Sequence, residues 1–250
     1  MTEIALSTSG LNKKFGSLVV AGDISLELPR GARYALIGPN GAGKTTLINL
    51  MTGMLAPDSG KITLGTEDIT AVPPDVRVKR GLVRTFQINT LFPNLTPLEA
   101  VTLAVCERRG EAGVWWKSLP SCKAAADEAY GILSSLRLGE HCERPTKQLA
   151  YGQQRLLEIA LALASKPKVL LLDEPAAGVP KEESGELFAA VAGISSDISV
   201  LFIEHDMEVV FRFASRIIVM VSGRILVEGT PDEIAANERV REVYLGSGHV

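Results

Sequence analysis

Long apolar runs are missing from this chain. The runs at Ile159 to Ala164, Val169 to Leu172 and Ile217 to Val221 fall far short of the roughly 20 residues that a bilayer-crossing helix needs, so the chain is not expected to span a membrane. Cysteine is scarce too: Cys106, Cys122 and Cys142 are an odd number without Cys-x-x-Cys spacing, and no charged-then-apolar leader opens the sequence. A reducing compartment is the simpler expectation. No block of consecutive basic residues stands out, and 26 Lys and Arg face 29 Asp and Glu for a net charge of −3, which argues against nucleic acid as the main partner.

Core-forming residues, by contrast, make up 46% of the 250, with 22% charged and only 5% aromatic. That composition excludes a disordered tail, a coiled coil and a collagenous repeat. A length of this order implies one to two domains at about 150 residues each, and burial of roughly three quarters of the unfolded surface.

Short runs rich in Val, Ile and Leu alternate with longer helical patterns, the signature of a mostly parallel sheet covered on both faces. Buried strands are expected at Arg33 to Ile37, Val169 to Asp173, Ser199 to Glu204 and Arg216 to Val221. Ile24 to Leu28 and Lys61 to Leu64 alternate apolar with polar, with Pro29-Arg30-Gly31 and Asp58-Ser59-Gly60 as turns, and read as half-exposed antiparallel strands beside the parallel core. From Pro93 to Gln148 the pattern turns helical. Thr96, Pro97 and Glu99 spell a capping box that opens one helix, and Thr230-Pro231-Asp232-Glu233 repeats it. Gly110 to Pro120, which holds Trp115 and Trp116, breaks the helices as a loop.

The run Gly38-Pro39-Asn40-Gly41-Ala42-Gly43-Lys44-Thr45 fits Gly-x-x-x-x-Gly-Lys-Thr, follows a strand and precedes a helical pattern near Lys44. Glycines let backbone N–H groups converge on phosphate oxygens, and the helix start adds partial positive charge. Lys44 would reach the terminal phosphates and the Thr45 hydroxyl a Mg²⁺ ion, with Thr46 beside it. By itself this leaves kinases, GTPases and transport ATPases open. Val169 to Asp173, followed by Glu174, is a buried strand ending in two carboxylates, which assigns Asp173 to the metal and Glu174 to the attacking water.

Leu149-Ala150-Tyr151-Gly152-Gln153-Gln154, shortly before that strand, resembles the signature motif of ABC transporter ATPases. The usual form is Leu-Ser-Gly-Gly-Gln; Leu149, Gly152 and Gln153 match it, while Ala150 and Tyr151 depart. The resemblance extends over essentially the whole chain. It is closest to the ATPase subunits of branched-chain amino-acid importers, the LivG type, on four runs and the ending. These are Arg84-Thr85-Phe86-Gln87, the variant signature, Asp173-Glu174-Pro175-Ala176-Ala177-Gly178, Ile203-Glu204-His205-Asp206-Met207, and Val243-Tyr244-Leu245-Gly246. Pro180 departs from the subgroup, which has Asn or Asp there.

The resemblance implies an α/β phosphate-loop NTPase core with an antiparallel β subdomain and an inserted helical subdomain near 93–148, all in one domain over 1–250. It implies ATP and Mg²⁺, with Gln87 bridging metal, water and membrane partner, and His205 contacting the γ-phosphate. Phe15, ahead of Gly16, fits an adenine-stacking ring, with a plain core phenylalanine as the alternative. Ala150 to Gln153 would cover the nucleotide of a second ATPase subunit, so one chain holds half of each of two sites. Membrane permease subunits, an extracytoplasmic substrate-binding protein and a peripheral place on the cytoplasmic face of the inner membrane follow. Asn89 to Leu95 is either the permease contact or a hydrophobic cover on the helical lobe. Lipid, lipopolysaccharide, urea or amide transport, and more remotely a soluble kinase or GTPase, stay open as alternatives.

Overall fold

The computed structural model describes residues 3–85, 91–111 and 123–245. It divides into two compact units: Met1–Arg84 with Lys168–Glu174 and Ser196–Val250, and Thr85–Pro167 with Pro175–Ser195.

The first unit carries two sheets. Strands β1 (Ile4–Phe15), β2 (Leu18–Pro29), β4 (Ser59–Leu64) and β5 (Glu67–Asp68) form an antiparallel sheet in the order β2-β1-β4-β5. The other sheet is built from β3 (Arg33–Ile37), β6 (Leu82–Arg84), β7 (Val169–Asp173), β8 (Ser199–Ile203), β9 (Arg216–Val221) and β10 (Arg224–Gly229), in the order β10-β9-β3-β8-β7-β6. Pairing is parallel from β9 to β6, and β10 closes one edge antiparallel to β9.

All five residues of β7 and of β8 are buried, which is why the sequence there is a continuous apolar run rather than an alternation. In β2 the alternation is real: Ile24, Leu26 and Leu28 face inward, Ser25 and Glu27 outward. Helix α1 (Lys44–Thr52) contributes Leu47, Ile48, Leu50 and Met51 to one cluster shared with Leu11 and Ile24 of the antiparallel sheet and Leu36, Leu171 and Leu201 of the parallel one. Helices α2 (Pro74–Arg80), α7 (Met207–Phe213), α8 (Pro231–Ala236) and α9 (Glu238–Leu245) complete the unit.

Three expectations are corrected. Ser59 and Gly60 belong to β4 and not to a turn, because β4 pairs with β1 as far as Asn12 opposite Ser59. β8 stops at Ile203, so Glu204 and His205 lie beyond it. β2 begins at Leu18, six residues before the alternating stretch, since β1 supplies its ladder partner.

Arg77 of α2 is 2% exposed and has only carbonyl partners: Nε donates to Val72, Nη1 to Leu50 and Met51, and Nη2 to Thr70. Burial pulls its pKa down. Leu50 and Met51 belong to the last turn of α1, so the guanidinium caps the helix that starts at the phosphate loop.

The second unit is helical: α3 (Pro97–Arg108), α4 (Lys123–Ser135), α5 (Tyr151–Ala164) and α6 (Lys181–Ala192), with single 3-10 turns at Gly139–His141 and Thr146–Gln148. Thr96 and Glu99 form the expected capping box, as do Thr230 and Glu233 in the first unit. Gly110 and Glu111 are described, but the rest of the expected Trp115–Trp116 loop lies outside the described residues. Among those described, no helix is long and apolar enough to cross a membrane.

Glu128 of α4 gathers three cations: Arg108 Nη2 at 2.9 Å, Arg109 Nη2 at 2.6 Å and Lys166 Nζ at 3.3 Å. Hydrogen bonding from Arg108, then from Arg109 and Lys166, holds its carboxyl down at about 2. A depressed folded pKa stabilises above the unfolded value of 4.5 and is lost as pH falls toward about 2. Glu128→Gln should therefore lower the melting temperature at pH 7, with the deficit shrinking in melts between pH 4.5 and the most acid pH at which the chain stays folded.

Candidate functional site

Gly38 to Gly43 turn the chain from β3 into α1 in a space that admits no side chain at either end. A Cβ on Gly38 (φ 156°) would lie 2.2 Å from the Met220 carbonyl oxygen, and one on Gly43 (φ 100°) 2.5 Å from that of Val20. Pro39, Asn40 and Gly41 are exposed and Ala42 is buried, its carbonyl accepting from Gly223 N–H at 2.8 Å. Gly43 caps α1 with no side-chain bond, and the first turn carries no acid, so this helix start keeps its positive character. Thr45 is exposed and Thr46 half-buried in that turn.

Lys44 is 7% exposed, and its Nζ donates to the carbonyls of Gly38 at 2.7 Å and Pro39 at 3.1 Å. Burial lowers its pKa, against the upward pull of Glu174 and Asp173. A sequestered ammonium resting on neutral carbonyls suits an incoming polyanion.

Asp173 ends β7, and its Oδ2 accepts from Arg84 Nη2 at 2.5 Å. Arg84 Nη1 in turn donates to Asn49 Oδ1 of α1 at 2.6 Å. The next residue, Glu174, has φ 48°, while its N–H donates to Ile203 O at 3.1 Å. A non-glycine residue held in a sparsely populated backbone region costs about 1–3 kcal/mol. Glu174 Oε1 lies 2.8 Å from His205 Nε2, so the ends of two adjacent parallel strands present a carboxylate–imidazole pair. Asp206 then caps α7 through Glu208 N–H at 2.9 Å.

Among the described residues no group of three or more His, Cys, Asp or Glu could hold a metal. Asp173 and Thr45 offer hard oxygen donors of the kind Mg²⁺ takes together with phosphate oxygens rather than in an all-protein cage. The donors fit that ion, and two of them alone leave its shell incomplete.

Phe15, at the end of β1, is 53% exposed, with Lys13 Nζ 5.8 Å from its ring centroid. That rules out the core-phenylalanine alternative. Gln87 lies outside the described residues, as do Phe86, Asn89 and Thr90. Of the remaining segment, Phe92 is 67% exposed while Leu91 and Leu95 are half-buried.

The signature residues belong to the second unit. Ala150 is the N-cap of α5, with Tyr151, Gly152 and Gln153 in its first turn, and Gln153 Oε1 accepts from Ala150 N–H at 3.1 Å. A Cβ on Gly152 would stand 2.7 Å from Glu183 Oε2. The sequence offered no partner for Tyr151, and the structure supplies two. Buried Arg155 donates to its hydroxyl at 3.0 Å, with the guanidinium 5.2 Å from the ring centroid. Gly178, at φ 78°, lies so close that a Cβ would meet Tyr151 Cε1 at 3.2 Å. Arg155 also donates to Glu158 at 2.8 Å and to the Ala177 carbonyl at 3.5 Å, and burial pushes the Glu158 carboxyl up against the pull of Arg155. Pro180 precedes α6, its carbonyl accepting from Glu183 and Ser184 N–H, both at 3.0 Å.

A family model described as ABC transporter matches residues 21–177, and one described as branched-chain amino acid ATP-binding cassette transporter matches 224–250. The high-affinity branched-chain amino acid transport ATP-binding protein LivG of Salmonella typhimurium is 39% identical over 98% of this chain and 99% of its own length. BraF of Pseudomonas aeruginosa, which carries the same description, is 37% identical with equal coverage. The crystal structure of an ATP-binding cassette of an ABC transporter in its ADP conformation superposes with a TM-score of 0.85 at 32% identity, covering 98% of this chain and 100% of its own.

The packing of Tyr151 on Gly178 yields a separable pair of effects. Gly178→Ala should lose about 2 kcal/mol, part from left-handed strain and part from overpacking against a ring that Arg155 holds in place. Adding Tyr151→Ala should recover the packing part and leave about 1 kcal/mol of strain. Thermal melts of the four chains in this cycle measure the coupling.

Proposed function

The chain belongs to the ABC transporter ATPases, a nucleotide-binding family, and from that premise we propose that it hydrolyses ATP to power an importer of branched-chain or related amino acids. The observation that carries the ATPase reading is the Glu174–His205 pair at 2.8 Å, in a unit that also holds a phosphate loop with a buried Lys44 on the Gly38 and Pro39 carbonyls. The cargo reading is supported by the relatives' descriptions over nearly the full chain and by the second family model at 224–250.

In this reading Lys44 and the N–H groups from Gly38 to Thr46 receive the β- and γ-phosphates, and Phe15 offers its exposed face to adenine. Asp173, Thr45 and Gln87 hold Mg²⁺, which when bound neutralises charge on the phosphate oxygens. Glu174 accepts a proton from the attacking water, whose oxygen bonds to the γ-phosphorus as the bond to the bridging oxygen of ADP breaks. His205 orients the carboxylate and contacts the γ-phosphate. Placement and electrostatics supply the rate.

Gly152 and the start of α5, with Ala150, Tyr151 and Gln153, serve the nucleotide of a second ATPase subunit, identical or not. Two ATP molecules then join the subunits, and hydrolysis releases them. The lobe at 93–148, containing α3 and α4, receives the permease, with the segment Asn89 to Leu95, in which Phe92 is exposed, as the contact. Peripheral attachment to the cytoplasmic face of the inner membrane, with an extracytoplasmic binding protein delivering cargo through the permease, completes the assembly.

Glu174→Gln should keep ATP affinity and lower hydrolysis by roughly 10²- to 10⁴-fold, whereas Lys44→Ala should weaken ATP binding itself. Equilibrium nucleotide titration alongside phosphate release from the assembled transporter separates the two. A Glu174→Gln chain hydrolysing at the parental rate would move the catalytic base elsewhere.

Cells lacking this chain should lose uptake of labelled leucine, isoleucine and valine and regain it on complementation. Unchanged uptake of all three, with loss of urea, amide or lipid transport, would replace the cargo and leave the ATPase reading standing.

A further inference from the structure

Arg84 plays no part in the mechanism above, yet it makes a direct side-chain link between the strand end that carries Asp173 and the helix that carries Thr45. Its guanidinium is a fork: Nη2 grips Asp173 Oδ2 at 2.5 Å and Nη1 grips Asn49 Oδ1 at 2.6 Å. The side chains of Arg84 and Asp173 are 11% and 4% exposed, so water competes little for the bond between them.

A cation beside a metal-binding carboxylate is costly if charge alone matters, because it repels Mg²⁺. It is useful if it fixes geometry. A carboxylate with one oxygen tied down presents the other in a defined direction, and α1 is anchored by the same planar group, five residues or fewer from Thr45 and Thr46.

We propose that Arg84 is a positioning residue for the metal: by clamping Asp173 and Asn49 at once, it sets the carboxylate of β7 in register with the Thr45 hydroxyl of α1. The inference rests on the assignment of Asp173 and Thr45 to Mg²⁺. Two substitutions separate it from a simple ion-pair role. Arg84→Lys keeps the charge but cannot reproduce a planar two-pronged fork, and Arg84→Gln removes the charge and its repulsion.

The readout is the ratio of affinities for a ribose-labelled fluorescent ATP in EDTA and in Mg²⁺, measured on the full chain by equilibrium titration without turnover. Loss of a residue that orients a metal ligand typically costs about 10- to 100-fold in metal affinity, so both variants should lose about tenfold or more of the parental Mg²⁺ enhancement. Retention of the parental enhancement by Arg84→Lys, or an equal or larger enhancement in Arg84→Gln, would overturn the proposal in favour of plain charge. Should the Arg84 variants fail to fold, Asn49→Leu leaves the ion pair in place and decides: a smaller drop in the same direction supports the clamp, and an unchanged ratio refutes it. A parent chain whose ATP affinity ignores Mg²⁺ would instead remove the metal assignment of Asp173 and Thr45, and this inference with it.

Discussion

Two backbone carbonyls fix the centre of the first unit. The oxygens of Met220 and Val20 approach Gly38 and Gly43 so closely that a single methyl group at either position would collide. Strand β9 and strand β2 belong to different sheets, so the loop between β3 and α1 is where both sheets press on one short segment. That pressure sets the left-handed turn at Gly43, the exit direction of α1, and the burial of Lys44 beneath the loop it stabilises. The hydrophobic cluster around Leu47, Ile48 and Met51 then locks the helix between the sheets.

Local chemistry was legible in the sequence wherever it could be satisfied locally. The phosphate loop, the capping boxes at Thr96 and Thr230, and the apolar runs of β3, β7 and β9 each carry their own reason within a few residues. The extent of β1 and β2 was less legible: the Ser7-Thr8-Ser9-Gly10 stretch, inside β1, has no apolar alternation of its own. It becomes a strand because β2 and β4 flank it and Thr8 donates its hydroxyl to the Ile24 carbonyl at 3.1 Å. Long-range pairings were not legible at all. Arg84 and Asp173 are 89 residues apart, and nothing in the spacing of either announces the other. Nor does the run from Asp173 to Gly178 announce that Gly178 has a left-handed backbone against the Tyr151 ring.

The departure of the signature from Leu-Ser-Gly-Gly-Gln also takes on a physical meaning. Where a glycine would leave the first turn of α5 bare, Tyr151 brings a ring that packs on Gly178 and a hydroxyl that accepts from Arg155. The start of α5 is therefore tied by side chains to the segment that follows Glu174 in sequence. The tie comes from the substituted position itself, while the Ala150 N–H is taken by Gln153 Oε1.

Both ends of α1 are terminated by buried cations of opposite purpose. Arg77 lies against the carbonyls of the last turn, where the helix dipole is negative, and is stabilised there by about 1–2 kcal/mol in a partly buried setting. Lys44 stands at the positive end, where a cation is out of place unless an anion arrives. The helix thus behaves as a polarised rod whose far pole is already neutralised inside the protein. Its unmet charge is concentrated at the phosphate loop, so salt in the surrounding solution should screen only the near pole.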